Sequence, residues 1–534
     1  MKELVVHASD DQGGAGPIVG RAFPGGSISG LVEDTAYLLR FSEGKPVHVC
    51  IDDVRLQPHY TRHDAYTWRP DFYAGRVGVS VRFEATNSDV RYHLDVSPNP
   101  QKLGDEIYRE LLSAVRRADQ RMALGLTPAT AQFSNLAEEQ SKSPVVALER
   151  MRKYGPQFIK ALRDVSTRPH RKIRPQIEHR PLSVARRIAP ASLRDPKLLL
   201  RVESFRQHNG AQADEVSVLV RSFETTADTA ANRTLKALVN RFLATAKSLK
   251  LAIHDFEMGG EKEQQHLRQT SRLESLNSLI NQAEGFLKAL PLAEVRKPET
   301  SAAGLTQIAA QPVYARCFRL GCQALRIGVY GDDGDDDLPI TQSWELYERW
   351  CFLELVSELE TSLGKAPRLL STSAFANADR IVAFDIDSGR QLQLLYQAKF
   401  PSIVATQGGV STAWSVSRER YPDIVAVLGS KFAPARFAVI DAKYRAGRQN
   451  ILDAMGSAHI YRDALRLGEE RAAFALLTLP GEPWSVHLDS PECWAKHMVG
   501  TVSECRPGAG GIQKVADWLL RWVRSFETSQ QHAS

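Results

Sequence analysis

Over the first hundred positions apolar and polar residues alternate, in runs such as Val47-His48-Val49-Cys50-Ile51, Val77-Gly78-Val79-Ser80-Val81-Arg82-Phe83 and Tyr92-His93-Leu94-Asp95-Val96. A period of two turns one side of each run toward a core, which predicts strands. Glycine pairs, Gly13-Gly14 and Gly25-Gly26, punctuate them. Near Asp105 the spacing becomes helical, through Ile107, Leu111, Leu112 and Val115. Between about 228 and 290 two stripes recur at helical spacing. Leu235, Leu238, Val239, Phe242 and Leu243 form one; Leu273, Leu276, Ile280, Ala283 and Leu287 form the other. Two long helices packed together satisfy both.

The segment Pro291 to Pro312 separates these helices from the C-terminal part of the chain. After the acidic run Asp332 to Asp337, helix and strand alternate. The pattern predicts a helix from Trp344 to Leu363 and strands at Arg380–Asp385, Leu392–Tyr396, Ile424–Leu428 and Phe437–Asp441. A helix over about Ile451 to Leu467, a strand at Ala473–Leu479 and a helix over Ile512–Phe526 complete it. The expected fold is multidomain α+β: a β-rich N-terminal domain (1–165), a mainly helical linker or middle domain (166–330) and a C-terminal α/β domain with a mixed sheet (331–534). A chain of 534 residues is too long for one core, which agrees. The acidic run lacks the spaced ligands and distal glutamate of an EF-hand and reads as a loop or domain boundary.

Composition narrows the class. With 43% hydrophobic and 24% charged residues the chain reads as globular. No apolar run is long enough to span a bilayer, and the N-terminus turns polar too soon for a signal peptide, so a cytoplasmic protein is expected. Cys50, Cys317, Cys322, Cys351, Cys493 and Cys505 are scattered, with no zinc-type C-x-x-C pair, and read as free thiols. The net charge of +6 permits a polyanionic partner without requiring one. Basic residues concentrate between Arg168 and Arg187, where Pro169, Pro175 and Pro181 disfavour a continuous helix. This stretch is either a solvated linker or a phosphate-contacting segment, with Arg171, Lys172 and Arg174 as candidate nucleic-acid contacts. No G-x-x-x-x-G-K-[ST] occurs, so any nucleotide-driven motor is expected in another chain.

The chemistry sits on two consecutive apolar strands. Asp423 leads Ile424-Val425-Ala426-Val427; Asp441 and Lys443 close Phe437-Ala438-Val439-Ile440-Asp441-Ala442-Lys443. Positions i and i+2 of a strand share a face, so Asp441 and Lys443 project together, and Asp423 joins them if the strands pair as a hairpin. Two carboxylates can hold Mg²⁺ or Mn²⁺, which acidifies bound water and polarises a phosphate. The ammonium can orient that water and stabilise developing charge. Glu348 shares the apolar stripe Trp344, Tyr347, Cys351, Leu355 and Leu359, and a core-facing glutamate needs a partner such as a metal ion or Lys443. His459 and Tyr461 on the following helix are auxiliary candidates, each weighed against an ordinary packing or surface role. The bland alternative for Asp441 and Lys443 is a surface ion pair at a strand end.

At these residues the chain resembles the PD-(D/E)XK nucleases, and more narrowly the McrC and LlaJI-type restriction subunits. Leu346-Tyr347-Glu348-Arg349-Trp350 resembles that group's first helix. Trp414-Ser415 with Arg420-Tyr421-Pro422-Asp423 is similar to its approach to the first acid, and Asp441-Ala442-Lys443-Tyr444-Arg445 to its lysine strand. Met455, His459, Ile460 and Tyr461 resemble its next helix. Asp228-Thr229-Ala230-Ala231-Asn232-Arg233-Thr234-Leu235-Lys236 is similar to a helix of the uncharacterised domain that accompanies such nucleases, with Ala231 where glutamate is usual. The likeness spans roughly residues 90 to 480; the first 90 lie outside it.

The resemblance implies Glu348, Asp423 and Asp441 as metal-holding acids, Lys443 as the catalytic lysine, and Arg445 beside it as a further nucleic-acid contact. It also implies DNA as substrate, a separately encoded AAA+ NTPase as partner and a role in restricting foreign DNA. Two alternatives stay open: an inert DNA-binding or NTPase-activating adaptor on a nuclease fold, or a nuclease for RNA or repair intermediates. Oligomeric state is open too.

Overall fold

The computed structural model describes the chain except residues 1, 10–13, 43–45, 53, 61, 63, 84–88, 126, 134–143, 199, 201–202, 204–216, 256–262, 326–335, 388, 405–411, 431–433 and 532–534. It divides into two compact units. One joins Met1–Gln140 to Gly334–Ser534, and the other is Ser141–Asp333.

In the first unit the alternating N-terminal runs form strands, as their period requires. Strands β1 (Leu4–Ser9), β2 (Ala15–Ala22), β4 (Tyr37–Phe41) and β7 (Ala65–Trp68) make a four-stranded sheet in the order β2-β1-β4-β7, with β3 (Ser27–Val32) between β2 and β4 in the chain. A second sheet holds β5 (Pro46–Ile51), β6 (Val54–Arg55), β8 (Gly75–Phe83) and β9 (Val90–Ser97), and β9 pairs with β3. Helix α1 (Asp105–Ala118) follows with acidic residues in its first turn and basic ones in its last, which suits its dipole. Strand β10 (Ala129–Phe133) then joins β8 in the second sheet.

The second unit is built mainly of helices: α2 (Pro144–Thr167), α3 (Pro190–Leu193), α4 (Ala230–Asp255), α5 (Glu263–Lys288), α6 (Ala302–Ala309) and α7 (Pro312–Leu325). The two predicted stripes bury Leu235, Val239, Phe242, Leu276 and Ala283 in one core with Phe158 and Tyr314. The Asp228–Lys236 segment proves to be a brace. Asn232 is buried; its amide donates to the carbonyls of Ala227 and His170 and accepts from the Tyr314 hydroxyl. Arg233 grips Asp228 through two bonds of 2.7 and 2.8 Å, and Lys236 donates to the carbonyls of Leu292 and Val295.

The basic segment is neither a linker nor part of the helical bundle. Strand β11 (Lys172–Pro181) pairs antiparallel over its whole length with β12 (Ser217–Thr226) as a two-stranded ribbon. Prolines fit there because each strand of such a ribbon is an edge that can spare an N–H.

Strand β13 (Asp336–Pro339) returns the chain to the first unit and pairs with β10. The acidic run therefore ends in a strand; Asp332 to Asp335 lie outside the described residues. Helix α8 (Ser343–Leu363) stops at Gly364, whose φ of 59° is the left-handed conformation that glycine adopts most freely. The C-terminal sheet contains β14 (Arg368–Leu370), β15 (Arg380–Asp385), β16 (Arg390–Tyr396), β18 (Ile424–Ser430), β19 (Arg436–Ala442), β22 (Ala475–Thr478) and β23 (Val499–Val502) in that order, while β17 (Ala413–Ser415) pairs outside it. Pairing is antiparallel as far as β19 and parallel from β19 through β22 to β23, a mixed sheet as expected.

Helix α9 (Arg448–Ala464) ends three residues short of the predicted Leu467. Leu465–Leu467 instead forms β20, which pairs with β17 and with β21 (Glu470–Arg471). Leu465 and Leu467 serve that small sheet and the core, which outweighs continued helix. Helices α10 (Pro491–His497) and α11 (Gly511–Gln531) finish the unit.

Candidate active site

Strands β18 and β19 form the anticipated hairpin. Ile424 stands opposite Ile440, so the same register brings Asp423 to the position facing Asp441. Residues directly opposite across an antiparallel pair share a face. On that face Phe437 and Val439 bury against Ala454, Met455 and Ala458 of α9, and Asp441 ends the buried row at 1% exposure. Asp423 is 5% exposed and Glu348, on the buried side of α8, 7%.

The Lys443 ammonium lies 2.6 Å from Asp441 Oδ2 and 3.7 Å from Asp423 Oδ2. Asp423 Oδ2 also accepts the Ala442 N–H at 2.8 Å, pinning it to the lysine strand. Glu348, Asp423, Asp441 and Lys443 are thus brought together. Tyr461 approaches the same cluster: its hydroxyl is pushed up first by burial and then by the charges of Asp441 and Asp423, against Lys443. His459 is exposed on α9, and among the described residues no hydrogen bond or ion pair ties it to the acids. Arg445 is exposed two residues beyond Lys443; Arg171, Lys172 and Arg174 are exposed in the second unit, the latter two on β11.

One member of the cluster was not anticipated. The Gln397 side-chain amide donates to Glu348 Oε2 and to Asp423 Oδ1, each at 3.1 Å, and so ties α8 to the hairpin. Its backbone N–H donates to the Asp423 carbonyl, and its φ of 52° is unusual for a residue with a side chain. The available signal was a glutamine directly after the apolar strand Leu392–Tyr396, because pairing that strand with the one led by Asp423 sets the two residues face to face.

Three buried carboxylates share one ammonium, so the cluster is short of positive charge. Burial, then Asp441 and Glu348, push the Asp423 carboxyl well above the usual carboxylate range. Burial likewise raises Glu348 to about 8 even though Lys443 pulls it down. For Lys443 burial disfavours the charge, but Asp441 and Asp423 outweigh it and hold the ammonium above its ordinary range. Both Asp441 oxygens are buried; Oδ2 meets the Lys443 ammonium at 2.6 Å, while Oδ1 has no hydrogen-bond donor among the described residues. A buried acceptor left open on a hard oxygen atom, beside two further carboxylates, fits a divalent cation.

Comparison agrees with this geometry: residues 345–480 match the sequence model of the PD-(D/E)XK nuclease superfamily. Ahead of it, residues 67–320 match a domain of unknown function, DUF2357. Among curated proteins none matches the chain. Similar solved structures include one described as a half-complex from a tetradecameric assembly of Thermococcus gammatolerans McrB AAA+ hexamers with bound McrC. It is 13% identical and covers 79% of this chain and 72% of that one, with a TM-score of 0.19. The cryo-EM structure of the Thermococcus gammatolerans McrBC complex is 14% identical over 55% of this chain and 68% of that one, with a TM-score of 0.18. Agreement that slight carries no argument about shape or assembly. Among the described residues no helix is long and apolar enough to cross a membrane.

Proposed function

We propose that the chain is a divalent-metal-dependent DNA endonuclease subunit of a restriction system, working in the cytoplasm with a separately encoded AAA+ NTPase. The observation that carries the nuclease reading is the convergence of the buried carboxylates of Asp423, Asp441 and Glu348 with the Lys443 ammonium, which leaves Asp441 Oδ1 without a donor among the described residues. The partner and the restriction role rest on the motif likeness to McrC-type subunits and on the missing phosphate-binding loop.

Asp423, Asp441 and Glu348 would hold Mg²⁺ or Mn²⁺, which favour oxygen ligands. Such an ion supplies a Lewis acid for the scissile phosphate and a more acidic bound water. The protein's own groups do the rest. Lys443, anchored between two carboxylates, offers its ammonium to the attacking water and to charge developing on the phosphate. Gln397 keeps Glu348 and Asp423 at one spacing. Tyr461 offers a hydroxyl at the rim of the cluster, and Arg445 a cation beside it. Arg171, Lys172 and Arg174, exposed on or next to the ribbon, offer sequence-independent contacts to a phosphate backbone.

The test is cleavage of supercoiled DNA by the full chain with Mg²⁺ or Mn²⁺, with and without the candidate motor and its nucleotide. Cutting that requires the metal and disappears in Asp441→Ala and Lys443→Ala supports the proposal. Undiminished cutting by those variants overturns it. Robust DNA binding or NTPase stimulation, with no metal-dependent cutting in any combination, would establish an adaptor instead.

A further inference from the structure

A second cluster of metal-ligand side chains lies outside the carboxylate site. His487, Cys493 and His497 bring one ligand atom each to within 4.8 Å of one another. All three belong to the crossover that leads from β22 to β23, the edge strand of the nuclease sheet.

The local sequence explains why they meet. Ser490 caps α10 by accepting the Cys493 N–H, and Pro491 occupies the first turn. Cys493 and His497 are four residues apart on that helix and so share a face. His487 comes from the loop ahead of it, and that loop is fastened to the helix. The Trp494 indole donates to the carbonyls of Leu488 (3.0 Å) and Thr501 (3.2 Å), binding loop, helix and edge strand together. The Ser490 hydroxyl donates to the His487 carbonyl, and Asp489 Oδ1 accepts the Ser503 N–H at 2.7 Å. Trp494 is buried so tightly that a Cβ on Gly500 would lie 2.3 Å from its ring. The three donors are therefore held near one another by bonds that do not involve their own ligand atoms.

We propose that His487, Cys493 and His497 form a Zn²⁺ site. A thiolate with two imidazoles is a soft-to-borderline donor set that selects zinc over Mg²⁺, the reverse of the all-oxygen set at Asp423, Asp441 and Glu348. Cys493 is 3% exposed and forms a buried floor, while both histidines are exposed. Tetrahedral zinc would draw the three donors closer than their present spacing of up to 4.8 Å, and the exposure of both histidines leaves room for a water molecule as fourth ligand. On binding, the zinc takes the thiolate and two neutral imidazoles, and the Cys493 proton leaves to solvent. The ion staples the crossover and shores up the edge strand.

Chelator-stripped full-length protein titrated with Co²⁺ in excess Mg²⁺ distinguishes the two sites. The expected result is a thiolate-to-cobalt charge-transfer band that saturates at one equivalent and is displaced by Zn²⁺. Cys493→Ser removes the band. His487→Ala, at an exposed position where folding is not at stake, weakens binding by about tenfold or more. Asp441→Ala keeps the band. Absence of the band in the parent protein, or its survival in Cys493→Ser, overturns the proposal.

Discussion

Replacing Lys443 by methionine removes the one ammonium that, among the described residues, faces Asp441 and Asp423, while leaving most of the side chain's bulk. At an effective dielectric near 20, a charge pair at the 2.6 Å seen with Asp441 interacts by about 6 kcal/mol, and at the 3.7 Å seen with Asp423 by about 4 kcal/mol. Those are gross attractions. Desolvation of the ammonium offsets much of them, and breaking a buried pair typically costs about 3–5 kcal/mol. The acids can also escape by taking protons, and Glu348, raised to about 8, is already mostly protonated at neutral pH. The metal-free variant should therefore lose about 3 kcal/mol, at the lower end of that range. At about 2 °C per kcal/mol for a unit of this size, the unfolding midpoint falls by roughly 6 °C. The loss should be smaller at pH 5 than at pH 8, because protonation substitutes for the missing cation. Adding Ca²⁺ or Mg²⁺ should restore most of the midpoint, since either ion returns positive charge to the acids. Cleavage should stay about a hundredfold or more below the parent. Thermal unfolding in chelator and in metal, set beside a plasmid-nicking assay, reads both effects. A midpoint that is unchanged in chelator, or metal-dependent cleavage at the parent rate, would refute the reasoning.

The metal-stripped parent protein should lose stability as pH rises from about 4.5 toward about 8. In that window folded Glu348 keeps a proton that the unfolded chain has released, so the unfolded state binds fewer protons and unfolding gains ground; a midpoint that rises with pH there would contradict it. Gln397→Leu should retain the fold but lower metal affinity by about tenfold, because Glu348 and Asp423 lose their shared donor; calorimetric titration with Mn²⁺ checks this. Glu33 is fully buried and accepts from Ser343 Oγ, the Tyr444 hydroxyl and the Asn99 N–H. Glu33→Gln sets an NH₂ group against those donors and should cost about 1–3 kcal/mol in denaturant unfolding, with a matching fall in cleavage rate.

The C-terminal sheet was legible because its central strands are buried on both faces and its acids break apolar runs at their ends. Asp423, Asp441 and Lys443 could be placed from strand periodicity alone, and Glu348 from its position on a helical stripe. Gln397 was not, since nothing local marks an amide as a bridge; only the register of β16 against β18 gives it a partner. The β11–β12 ribbon was missed because proline and arginine hide strand character, and because its partner strand begins 36 residues after Pro181, at Ser217. Glu33 lies in the stretch with no recognisable motif. Its work is tertiary: it joins the turn after β3 to the start of α8 and to the residue after Lys443.

The pairing of β10 with β13 sets Phe133 opposite Asp336, so the last described residue before the 141–333 unit and the first one after it lie on neighbouring strands of one sheet. Adjacent strands run about 5 Å apart, a gap that a few glycines can bridge. The 141–333 portion is therefore a cassette. Excising it and closing the cut with a short flexible loop should leave a miniature protein in which the carboxylate cluster and the crossover thiol can be studied without the ribbon.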